Sequence, residues 1–92
     1  MKDNKDLQHD VLRMQSVNKI LNNVEYQNAF IMIKATLLNE FEGTKFKQQE
    51  ERDEVWRKLQ SLNFIEAQLT EVMQTGKIAQ SLLDKLKTKI LF

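Results

Sequence analysis

Apolar residues recur at every third or fourth position along 29 consecutive residues, from Lys47 to Thr75, that contain no proline or glycine. This spacing predicts one long α-helix with a single apolar face. A face of that length requires a partner surface to cover it. Its members are Val55, Leu59, Leu62, Ile65, Leu69 and Val72.

A second apolar pattern predicts a helix over residues 24–42. Asn22 is a candidate N-cap, because Glu25 follows three residues later as in a capping box, and Gly43 suits the left-handed position that ends a helix. The short turn from Thr44 to Lys47 predicts an antiparallel helical hairpin of residues 24–42 and 47–75. One face carries Tyr26, Phe30, Ile33, Leu37 and Phe41, and Ile31, Ala35 and Leu38 widen it, which favours contact with more than one neighbour.

The two ends of the chain complete an all-α prediction. Residues 1–23 form an N-terminal arm of one short helix or two, with Asp6 and Ser16 as candidate N-caps. Gly76 is interpreted as a helix stop or a kink, with the stop favoured, and an amphipathic C-terminal helix follows over residues 77–92. We predict a single helical domain over residues 1–92. The arm's shared face carries Leu7, Val11, Met14, Val17 and Leu21.

Composition supports a helical chain and excludes several kinds of site. The 92 residues are 41% apolar and 29% charged, with two glycines and no proline. The absence of cysteine excludes disulfides and thiolate metal sites. The N-terminus lacks the apolar segment of a signal peptide, and no apolar run approaches the roughly 20 residues of a membrane span. We expect a protein that is not secreted by a signal peptide and that works in a cytoplasm without a membrane partner.

The sequence offers no convincing catalytic, cofactor or metal constellation. Glu50 and Glu54 could share a metal ion or a proton, but the only histidine, His9, is far away in a polar segment. The Gly76-Lys77 pair lacks the upstream glycine of a phosphate loop, since that position is Glu71. We therefore predict a protein that is not an enzyme and that has no cofactor.

Two groups of side chains are candidates for binding. Trp56, the only tryptophan, is either an interface anchor or a residue that packs over the edge of its own core. The last 16 residues carry four lysines against Asp84, and these lysines either contact phosphate or form a solvated face. The predicted interface residues are Phe30, Ile33, Trp56, Leu82, Leu86, Ile90 and Phe92, and the candidate phosphate contacts are Lys77, Lys85, Lys87 and Lys89.

Four segments read together resemble small helical-hairpin proteins of tailed bacteriophages, which are often encoded near head and packaging genes. The resemblance covers about residues 24–80 and implies a viral protein made in a bacterial cytoplasm, with a role in binding, assembly or host interference. It implies no catalytic residue. The segments are Asn28-Ala29-Phe30, residues 37–42 (LLNEFE), residues 51–62 (ERDEVWRKLQSL) and residues 75–79 (TGKIA).

These observations predict a non-enzymatic protein–protein interaction module, a homo-oligomer or a protein docked on a larger one, such as a small phage virion or assembly component. One alternative is a nucleic-acid-binding regulator or packaging factor that uses the four lysines. Another is an inhibitor of a host enzyme or defence system, which would share the same fold and surfaces.

Overall fold

The chain folds into three α-helices in the computed structural model, which describes residues 2–44 and 49–91, without the side chains of residues 90 and 91. The helices are α1 (Asn4–Leu21), α2 (Val24–Gly43) and α3 (Gln49–Leu91). No strand occurs in these two ranges. The all-α prediction is confirmed.

The N-terminal arm is a single helix. Asp3 provides its cap, because the Asp3 carboxylate accepts a hydrogen bond from the backbone N–H of Asp6 at 2.9 Å. Asp6 and Ser16, the two N-cap candidates, therefore lie inside α1. Asp6 is in the first turn, where its negative charge favours the helix.

α2 begins at Val24, as predicted, and ends at Gly43, one residue later than predicted. Its N-cap is Asn23, which has extended backbone angles and accepts a hydrogen bond from the N–H of Tyr26 at 2.9 Å. The prediction of Asn22 as the cap is wrong. Gly43 is the last helical residue and has no positive φ, and Thr44 closes the helix with its N–H 3.1 Å from the Phe41 carbonyl oxygen. The rest of the predicted turn, residues 45–47, and the predicted start of the second helix at Lys47 lie outside the described residues.

The prediction that Gly76 stops the helix is wrong, because α3 continues through it to Leu91. Residues 77–91 are therefore the continuation of α3 and not a separate C-terminal helix. Gly76 is buried. A Cβ placed on it would lie within 3.0 Å of the Cβ, Cγ and Sδ atoms of Met14. The glycine thus allows α1 to approach α3 closely, and this packing offsets its poor helix propensity.

Two compact units make up the chain. Unit 1 comprises Met1–Leu21 and Gln68–Phe92, so it pairs α1 with the second part of α3. Its buried cluster consists of Leu7, Val11 and Ala79, and Met14 and Leu83 pack against this cluster. Because early residues of α1 lie beside late residues of α3, the two segments run in opposite directions.

Unit 2 comprises Asn22–Ala67 and contains α2 and the first part of α3. Leu37 of α2 and Val55 of α3 are its buried apolar residues among those described. Two further contacts join the helices. The Arg52 guanidinium lies 4.7 Å from the centroid of the Phe41 ring, and Lys34 Nζ lies 3.6 Å from Glu66 Oε1.

Candidate functional site

An open groove runs along unit 1 between α1 and α3 and has a volume of about 630 Å³. We call it the lysine groove. Its floor is apolar, while lysines stand at the end where α1 begins and α3 approaches its C-terminus. The floor is formed by Leu7, Ile78, Ala79, Leu82 and Leu86, and the polar lining by Lys2, Asn4, Asp10, Thr75, Lys85 and Lys89.

The charges of the lysine groove are unequally balanced. Lys2 Nζ forms an ion pair with Asp10 Oδ2, whose side chain is only 11% exposed. No described carboxylate forms an ion pair with Lys85 or Lys89. Asp84, which is next in sequence, instead accepts a hydrogen bond from Gln80 Nε2 at 3.0 Å. The lysine groove therefore presents two free cations beside its apolar floor.

The four lysines considered as phosphate contacts do not form one surface. Lys85 and Lys89 are four residues apart, so they lie on the same face of α3, and both line the lysine groove. Lys87 is two residues from each, which places it about 200° around the helix. Lys77 lies outside the lining of the lysine groove but lines a second open concavity on α3 together with Lys85 and Lys89. The structure thus brings three of the four lysines to one surface and separates Lys87 from them.

Predicted interface residues of the second part of α3 line the same groove. Leu82 is 41% exposed and Leu86 is 38% exposed. Ile78 was not among the predicted interface residues, although it is 63% exposed and lies four residues before Leu82. Ile78, Leu82 and Leu86 follow one another at four-residue intervals, and this spacing was the signal in the sequence that Ile78 belongs to the same surface. The side chains of Ile90 and Phe92 lie outside the described residues.

Unit 2 carries the remaining predicted interface residues. Trp56 and Ile33 are about half exposed. Phe30 is half-buried and packs on Tyr26, with the ring centroids 5.7 Å apart. The residues that widen the apolar face of α2 are more exposed, with Ile31 at 65%. Unit 2 therefore covers only part of its apolar surface.

Exposed apolar side chains occur on both units. Among the described side chains, 13 large apolar ones are at least 38% exposed. Such a chain has enough apolar surface for a partner.

Residues 2–44 and 49–91 contain no cluster of three or more histidines and acids that could hold a metal ion. Within the same ranges, no helix is long and apolar enough to cross a membrane. Comparisons with protein-family models, with curated proteins and with solved structures find no match for this chain. The resemblance to phage proteins therefore stays a prediction, and the function has to be argued from the surfaces.

Proposed function

We propose that the protein is a non-enzymatic protein–protein interaction module that self-associates through exposed apolar helix faces. The proposal rests on the large apolar side chains, present on both units, that are at least 38% exposed. Burying apolar area releases about 25 cal/mol per Å², so a folded chain that leaves this much uncovered gains stability from a partner.

We further propose that unit 2 is an antiparallel helical hairpin. Two contacts support this arrangement, because their partners progress in opposite directions along the two helices. Phe41 contacts Arg52, while the earlier residue Lys34 pairs with the later residue Glu66. A short-loop connection between neighbouring helices favours the same arrangement.

The hairpin has one side that is well suited to docking. Viewed from the N-terminus of each helix, Leu38 lies about 60° clockwise from Phe41 on α2, and Trp56 lies about 40° clockwise from Arg52 on α3. Phe41 and Arg52 contact each other. In an antiparallel pair, both clockwise rotations therefore lead to the same side of the hairpin. Leu38 and Trp56 are 49% and 52% exposed. Together they provide an aliphatic and an aromatic anchor of the kind that dominates binding energy.

A role as a small phage virion or assembly component is consistent with this proposal and follows from the resemblance alone. The nucleic-acid alternative is less well supported, since Lys77, Lys85 and Lys89 share one open surface with the acidic Asp84, and Lys87 lies outside it. The inhibitor alternative would use the same surfaces against a host protein.

Light scattering coupled to size-exclusion chromatography tests the proposal directly. We expect the mass of the untagged chain to rise above 10.9 kDa with increasing micromolar concentration. Leu38→Gln, on an exposed position of α2, should shift the mass toward that of the monomer without reducing helicity. Gln60→Glu provides a control, because this exposed position is already polar. A wild-type chain that stays monomeric at all concentrations would refute self-association.

A further inference from the structure

The lysine groove has the shape and chemistry of a surface for another helix. Ile78, Leu82 and Leu86 recur at four-residue intervals on α3 and are 63%, 41% and 38% exposed. A row of this kind is a ridge that packs into the groove of a second helix. A small ligand, by contrast, is usually 70–90% buried in its pocket, which side chains this exposed do not provide.

One segment of the chain itself matches this surface. Ile31, Ala35, Leu38 and Glu42, which we call the α2 stripe, are exposed and follow one another at intervals of four, three and four residues. Ile78, Leu82, Lys85 and Lys89 follow the same intervals along α3, displaced by 47 positions. At 1.5 Å per residue, each series is about 16 Å long. We propose that the α2 stripe of one copy packs into the lysine groove of a second copy. This inference rests on the proposed function and names the partner.

In this register, apolar residues of the two copies face one another along most of the stripe. Residues of opposite charge face one another at its C-terminal end. Ile31 meets Ile78, and the small Ala35 leaves room for Leu82. Leu38 packs between Leu86 and the aliphatic part of Lys85.

The register then places the Glu42 carboxylate beside the Lys89 ammonium. Neither group has an ion-pair partner among the described residues. Charge complementarity thus fixes the parallel direction and the register of the two helices. The apolar contacts of the stripe supply the area that is buried.

Charge reversal across the two surfaces tests the pairing in the full-length chain. Lys89→Glu and Glu42→Lys should each weaken self-association about tenfold, because an attraction is replaced by a repulsion. Combining both substitutions in one chain should restore the wild-type association, and so should an equimolar mixture of the two single variants. Lys87→Glu is the matched control, since it makes the same charge change on the other side of α3 and should have little effect. Circular dichroism checks that the variants keep their helicity.

Each outcome decides the inference. If the wild-type chain is monomeric, both the proposed function and this pairing are refuted. If it self-associates and Lys89→Glu behaves like Lys87→Glu, or if the combined variant is not restored, only the pairing is refuted. Titration with dodecanoate forms a second arm. Amide NMR shifts confined to the groove residues, with the mass of the self-associated chain unchanged, would show that an anionic amphiphile occupies the groove while the copies remain associated, and would also overturn the pairing.

Discussion

Replacing Gly76 by alanine tests whether α1 and α3 approach each other as closely as the structure indicates. Alanine is the better helix former, and by propensity alone the substitution would stabilise α3 by about 1 kcal/mol. We expect the opposite sign. The added Cβ would lie within 3.0 Å of three side-chain atoms of Met14, one of which is its Cβ.

The identity of the closest atoms determines the magnitude. A clash with the far end of a methionine could be relieved by a rotamer change, but the Cβ of Met14 is fixed to the backbone of α1. The helix itself must therefore move, and overpacking of this kind typically costs about 1–3 kcal/mol. After the gain of about 1 kcal/mol in helix propensity is subtracted, we expect Gly76→Ala to lower the free energy of unfolding by up to about 2 kcal/mol.

Gly43 provides a matched control for this experiment. It ends α2 with a negative φ, and a Cβ placed on it meets nothing within 4 Å. Gly43→Ala should therefore raise the free energy of unfolding by about 0.4–1 kcal/mol. Urea titrations followed by circular dichroism at 222 nm measure both variants, at one protein concentration because self-association also stabilises the chain. If Gly76→Ala were as stable as Gly43→Ala, the close approach of α1 and α3 would be refuted.

Three further experiments test local contacts. Asn23→Ala should destabilise the chain by about 1 kcal/mol through loss of the α2 cap, while Asn22→Ala should change urea stability much less, and equal effects would contradict the assigned cap. A carbodiimide should join Lys34 to Glu66 within one chain, as detected by mass spectrometry of the monomer fraction. Lys34→Arg should abolish this cross-link, and its absence from the wild type would contradict the hairpin. Arg52→Gln should cost about 0.5–1 kcal/mol in urea through loss of its cation–π contact, and an unchanged midpoint would show that this contact does not stabilise unit 2.

The helical character of the chain was predictable because it depends on local signals. Proline is absent, and apolar periodicity extends across every element, so no other secondary structure competes. Val55, the first residue of the predicted apolar stripe, is buried, as its place in that stripe indicates. These features are set by residues within a few positions of one another.

The errors arose where tertiary packing overrides local preference. Glycine favours a helix end by local propensity. Because Gly76 has no side chain, however, Met14, which is distant in sequence, can pack closely against α3 at this position. Asn22 and Asn23 are chemically identical, and only the backbone geometry selects the second as the cap. The lysine groove was also not predictable as a site, because its walls come from opposite ends of the chain, although Leu82 and Leu86 were recognised as exposed.

The position of Trp56 allows binding to be detected by the intrinsic fluorescence of the protein. Its indole is the only one in the chain and is 52% exposed, so its emission comes from a single, half-solvated location on the side proposed for docking. A partner that covers this side would remove water from the ring and shift the emission to shorter wavelength. Complex formation can therefore be followed by intrinsic fluorescence, without attaching a dye to a chain that has no cysteine.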